Sequence, residues 1–185
     1  MISDIIRDAD AKMASAVEYA KEEFAAIRTG RAHPAMFAKL TAEYYGAQTP
    51  LQQLATFQVP DARVVMIPPY DQSSLNAIEK SIRDSDLGVN PSNDGKTIRV
   101  TLPQLTEQRR KEYIKLAKNK AEDARVSVRG ARRTAKDALD KMVKDKEVGE
   151  DEVTRAEKQL DAETKKHTEA IDELLKHKEA DLLAV

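Results

Sequence analysis

The chain of 185 residues contains no cysteine, which removes disulfide frameworks and thiolate nucleophiles and suits a reducing compartment. No apolar run approaches the roughly 20 residues that a membrane-spanning helix needs. The opening residues, MISDIIRDAD, lack the basic head and apolar centre of a secretory signal. A cytoplasmic protein without a membrane partner is expected. The three histidines, His33, His167 and His177, fall at no metal-ligand spacing, so no metal or cofactor is expected, and His167 reads as a packed histidine on a helix face. Asn93-Asp94-Gly95-Lys96 lacks the glycine spacing and Lys-Ser/Thr pair of a phosphate loop, and reads as a hairpin turn. No Ser–His–Asp or Cys–His arrangement and no positioned carboxylate pair is suggested, so no catalytic residues are assigned and an enzyme is not expected. Internal repeats and low-complexity linkers are also missing.

What is present is strongly divided by charge. The net charge of −1 conceals a segment 106–146 with 14 basic and 7 acidic side chains, net +7, and a segment 147–185 with 6 and 12, net −6. Residues 1–30 carry 4 and 6, and residues 31–105 carry 7 of each. Any binding to a polyanion is therefore local and oriented.

The basic segment, Thr106 to Lys146, is interrupted only by Gly130 and spans about 60 Å as one α-helix. Ala117, Ala121, Ala124, Val128, Ala131, Ala135, Ala138 and Met142 fall at alternating 4- and 3-residue steps, the pattern of a seam packed closely on other helices. Beside that seam lie Arg125, Arg129, Arg132, Arg133 and Lys136. Like charges at i,i+4 repel on an isolated helix, so the stripe is shaped for an outside polyanion or forms a solvated face.

Two further helices flank this one. The first runs from a cap at Ser3 or Asp4 along Ile2, Ile6, Ala9, Met13, Ala16, Ala20, Phe24 and Ile27, and stops at Thr29-Gly30. After a turn around Gly149, the last carries Val153, Ala156, Leu160, His167, Ile171, Leu174 and Leu182 on its apolar face. Its many acids offer partial charge balance to the basic helix. Between the first two helices the period changes: Lys39–Tyr45, Thr56–Val59, Arg63–Ile67 and 97–102 read as strands, and Asp71 caps a helix burying Leu75, Ile78 and Ile82. The fold class is α+β: a long three-helix bundle (1–30 and 105–185) with a small β-rich domain (31–104) inserted. The two crossings, Gly30, Arg31, Ala32, His33 and Pro34, then Leu102, Pro103, Gln104 and Leu105, read as a hinge, because paired short connections permit bending but not free tumbling.

Read end to end, MISDI, IRTGRA (27–32), EYYG (43–46), PLQQLA (50–55), AIEKSI with SDLG and NP (77–91), LTEQRRKE (105–112), AEDARVSVRGARR (121–133) and KDKE (144–147) resemble ribosome recycling factor in order and total length. His33 and the Pro68–Asp71 segment depart from the family pattern. The resemblance implies an L-shaped, tRNA-like monomer that binds the post-termination ribosome. It also implies action with elongation factor G and GTP to split the subunits and release mRNA and tRNA, without catalysis of its own. The family's contacts to large-subunit rRNA carry over to Arg129, Arg132 and Arg133, and beyond them to Arg28, Arg31, Arg109 and Arg110. On pattern alone Arg109 and Arg110 are surface residues near the hinge. From the residues themselves a helical adapter and, less well supported, a small enzyme stand as alternatives.

Overall fold

A computed structural model describes residues 1–184. They form two compact units, one of Met1–Phe24 with Ile114–Ala180 and one of Ala25–Tyr113 with the chain from Asp181. In order the elements are α1 (Ile2–Ala26), β1 (Thr41–Tyr44), β2 (Ala47–Pro50), α2 (Leu51–Leu54), β3 (Gln58–Asp61), β4 (Val64–Ile67), α3 (Leu75–Arg83), β5 (Asn90–Asn93), β6 (Ile98–Thr101), α4 (Glu107–Lys144) and α5 (Glu150–Leu183). Among the described residues no helix is long and apolar enough to cross a membrane.

The first unit consists of helix alone. Helix α1 buries Ile6, Ala9, Met13, Ala16, Ala20 and Phe24, and α5 buries Val153, Ala156, Leu160, His167 and Ile171. Helix α4 buries Ala117, Ala121, Ala124, Val128, Ala131, Ala135, Leu139 and Met142. Among the described residues these apolar stripes are buried within the protein, as packing of the helices on one another requires, and are not offered to a partner's helices. One position of the α4 seam differs from the sequence expectation: Leu139 is buried and Ala138 only half-buried. At 100° per residue Leu139 lies about 40° from the centre of the stripe and Ala138 about 60°. Burying the larger side chain also removes more apolar area from water. Helix α4 is unbroken over 38 residues. It is opened by Thr106, whose Oγ1 accepts from the Arg109 backbone N–H at 3.1 Å.

The reversal between α4 and α5 is set at Lys146 rather than Gly149. Lys146 takes φ +60°, and the Glu147 N–H closes on the Met142 carbonyl at 2.9 Å, a Schellman-type end. Gly149 instead precedes α5, where Glu152 reaches back to its N–H at 3.3 Å, half of a capping box.

The second unit holds two antiparallel sheets. β1 and β2 form a hairpin around Tyr45 and Gly46, both at positive φ (50° and 79°), the backbone of a type I′ turn. The other sheet runs β3-β4-β6-β5. Its two edge strands carry Pro60 and Pro91, where the missing N–H is tolerated and further pairing is discouraged. Asp71 opens the turn before α3, accepting from the Ser73 N–H, and the Tyr44 hydroxyl donates to its other oxygen at 2.9 Å. Phe37, Leu51, Ile67, Ile78, Ile82, Ile98, Val100 and Leu102 form the centre of this unit's core, with Phe37 stacked on Phe57. Tyr45 is exposed, as its place at the turn requires.

Candidate nucleic-acid interface

Helix α4 carries the basic stripe as one continuous run of turns, so every guanidinium on it is placed by a regular element rather than a loop. The like charges are not left to repel one another. Arg125 Nε donates to Asp172 Oδ1 at 2.8 Å, and its NH1 to Glu122 at 3.1 Å. Arg132 places Nε and NH2 on Asp161 Oδ1, both at 2.8 Å. Lys136 bridges Glu157 at 2.9 Å and Asp140 at 3.3 Å. As residue number rises along α4 it falls along α5, the ladder of an antiparallel pair. The i,i+4 spacing that pointed to an external polyanion is thus met in part by the protein's own acids. The expected charge balance from the last helix takes this concrete form.

Two members of the stripe remain outward. Arg129 makes one bond, NH2 to Glu122 at 2.6 Å, and its side chain is 54% exposed. Arg133 is exposed and has no hydrogen bond or ion pair among the described residues. Exposed pairs contribute about 0–1 kcal/mol each, whereas an arginine fork grips phosphate through two parallel bonds. Arg129, Arg133 and the unused NH1 of Arg132 are therefore the groups that an incoming phosphate can recruit.

The electrostatics follow from these pairs. Hydrogen bonds from Arg129, then Arg125, hold the Glu122 carboxyl below its usual range. Burial acts to lower Arg125, but Asp172 and Glu122 outweigh it and leave its value raised. Lys136 is raised by its bonds to Glu157 and Asp140. In the second unit Asp71 is lowered by the Ser73 backbone and hydroxyl, and Asp94 by the backbone N–H groups of Thr97 and Lys96. Each of these carboxyls has a folded value below its unfolded one. Their stabilisation is complete above the ordinary range near 4 and is lost as pH falls through the folded values. The melting temperature is expected to drop on acidification below about pH 4. Glu122→Gln should flatten that fall, and identical profiles for the two proteins would contradict the assignment.

The remaining expected contacts separate into exposed and buried groups. Arg31 and Arg109 are exposed, Arg109 near Glu112 at 3.7 Å. Arg110 is half-buried, with Nε shielded and without a partner. Arg28 does not belong to the interface. It is 3% exposed, its NH2 donates to the Pro103 carbonyl at 2.6 Å and its Nε to the Thr29 carbonyl at 3.4 Å. Burial lowers its pKa, with smaller effects of Tyr113 and Arg109. A guanidinium used this way cannot also reach an external phosphate. Arg28 instead ties the chain after α1 to the chain before α4. Arg28→Ala should lower stability by about 1–3 kcal/mol, because it removes a buried side chain and its part-buried charged hydrogen bond to the Pro103 carbonyl. Thermal unfolding checks this, and an unchanged melting temperature would refute it.

The two connections are themselves anchored. The Ala32 N–H donates to the Ala62 carbonyl and the Leu102 N–H to the Arg63 carbonyl, both at 2.7 Å. His33 Nδ1 accepts from the Ala35 N–H, with Pro34 opening a short 3₁₀ turn. Leu102 and Leu105 are buried, while Gly30 is half-buried and Pro103 and Gln104 are exposed.

Sequence reasoning did not find the individual counter-charges Asp161, Asp172 and Glu157. The acidic excess of the last helix announced them collectively, but naming each one needs the register between two helices.

A family model described as Ribosome recycling factor matches residues 20–183. The chain is 65% identical over 184 residues to the ribosome-recycling factor of Cutibacterium acnes, with 100% of both chains covered. It is similar to a solution structure of ribosome recycling factor at TM-score 0.78 and 41% identity, covering 100% of this chain and 98% of that one. A second similar structure is of the T. thermophilus ribosome recycling factor and the E. coli elongation factor G bound to the E. coli post-termination complex. Its TM-score is 0.70 at 40% identity, with 100% of both chains covered.

Proposed function

The chain belongs to the ribosome recycling factor family, and from that premise we propose how its surface serves recycling. It is a translation factor rather than an enzyme. It binds the ribosome after the finished peptide has left and, with elongation factor G and GTP, separates the subunits so that mRNA and tRNA are released. The cytoplasm is where it acts. Helix α4 lies against large-subunit rRNA, with Arg129 and Arg133 on phosphates and Arg132 sharing its guanidinium between Asp161 and the RNA. Folded RNA is recognised largely through shape and backbone, so no base-specific readout is required. Arg31 and Arg109 extend the basic surface, and the connections 30–34 and 102–105 are the points about which the inserted domain pivots.

The observation that carries the reading is the exposed Arg129–Arg133 pair on an unbroken 38-residue helix in a chain of this family. The test is subunit separation, followed by light scattering or sedimentation, on post-termination complexes supplied with elongation factor G and GTP. Added protein should accelerate splitting, and no acceleration would end the proposal.

A further inference from the structure

On the first unit, away from the basic stripe, α5 and α1 bring together His167, Glu163 and Asp10. His167 and Glu163 are one helical turn apart, and Asp10 comes from the other helix. The His167 side chain is only 9% exposed. Its Nδ1 lies 2.7 Å from the Glu163 backbone carbonyl. A carbonyl can only accept, so Nδ1 carries a proton and donates.

In the neutral ring that leaves Nε2 with a bare lone pair. Nε2 points at a carboxylate, with Asp10 Oδ1 at 3.5 Å, and no hydrogen bond reaches it. Two electron-rich atoms facing each other across that gap repel unless a proton on Nε2 or a bound cation lies between them. A second observation, independent of the ring, points the same way. Glu163 Oε2 is closed off from solvent and has no hydrogen-bond partner, a costly state for a carboxylate oxygen. With the ring neutral, one shielded imidazole lone pair and two carboxylates surround a small space, Glu163 Oε2 standing 4.0 Å from Nδ1; a metal cation would take the place of the proton that otherwise makes this ring an imidazolium.

We propose that His167, Glu163 and Asp10 form a site for a divalent cation of the zinc type, which joins α1 to α5. The three donor atoms all lie within 4.8 Å of one another. Zinc bonds of about 2.0–2.1 Å to nitrogen and oxygen set tetrahedral donor–donor edges of roughly 3.3 Å. The Nε2–Oδ1 distance already matches such an edge, and Glu163 closes the rest by side-chain rotation. The Nδ1–H bond to a backbone carbonyl is the outer partner that fixes a ligating histidine's tautomer and orientation. One nitrogen and two oxygens suit a borderline metal; calcium would ask for six to eight oxygens. Asp10, 46% exposed, gives the ion a way in and leaves the fourth position to water.

Cobalt(II) is the probe, because tetrahedral coordination gives it strong visible bands that zinc then erases. Titrating the whole, metal-stripped protein should show one cobalt per chain, displaced by zinc, and zinc should raise the melting temperature. Asp10→Asn keeps the shape and most of the solvent contact of the side chain, so it should fold normally. It should bind at least tenfold more weakly, and His167→Gln should abolish the bands. His177→Gln, which alters an exposed histidine paired with Glu173, should bind as the wild type does. The proposal is overturned by absence of tetrahedral bands in the wild-type protein, by equal affinity in Asp10→Asn, or by loss of the bands in His177→Gln.

Discussion

Replacing Arg129 and Arg133 together by alanine is expected to weaken ribosome binding by about two orders of magnitude, while helical content and melting temperature stay at wild-type values. The size follows from two lost charge-assisted bonds at the low end of their range, about 1.5 kcal/mol or roughly tenfold each. The unchanged fold follows from the geometry. Arg133 has no partner among the described residues, and Arg129 has one exposed pair with Glu122 that contributes little to stability. Arg132→Ala should cost less binding, since Asp161 already holds Nε and NH2. Arg155→Ala, an exposed cation on α5, serves as the control for loss of one charge. Binding assays on purified ribosomes decide the matter. A control that costs as much as the double variant would reduce the stripe to non-specific charge.

The second large effect concerns the seam that holds that stripe in place. Leu139→Ala should lower the stability of the protein by about 2–5 kcal/mol, the usual range for emptying a buried leucine site. Leu139 is fully buried in the α4 seam, and a backbone held on both sides by long helices has little freedom to collapse into the gap. Its neighbour Ala138 is half-buried, and Ala138→Ser should change stability by no more than about 0.5 kcal/mol. Denaturant unfolding of the two variants tests the register directly. If Ala138→Ser proved the more damaging, the helix would be rotated from the orientation described.

That pair of neighbours also shows what could be read in advance. The stripes of α1, α4 and α5 were legible because buried helices repeat their apolar residues at the helical period. A strict 4-3 alternation then selected Ala138, whereas packing selected the bulkier side chain closer to the centre of the stripe. Strands β4 and β6 were legible from Val65, Ile67, Ile98 and Val100, which supply the second core. Strand β5, Asn-Pro-Ser-Asn, was not, because as an edge strand it is recruited by backbone pairing with β6 and needs no apolar face. Helix α2 was too short to display a period. The basic stripe was visible as residues, but its neutralisation by Asp161, Asp172 and Glu157 depends on how α4 and α5 align. Arg28 resembled its exposed neighbours in sequence and was separated from them only by burial against Pro103. The Asp10–Glu163–His167 cluster needed α1 beside α5, a relation no local spacing contains.

The most direct measurement of the central claim is the salt dependence of ribosome binding for wild-type protein and for the Arg129→Ala, Arg133→Ala double variant. Each phosphate contact releases condensed counterions, so the slope of log affinity against log salt counts contacts at about 0.7–0.9 each. If α4 grips ribosomal phosphates through these two guanidinium groups, the variant's slope is shallower by roughly 1.4 to 1.8. Equal slopes for the two proteins would show that neither arginine meets a phosphate.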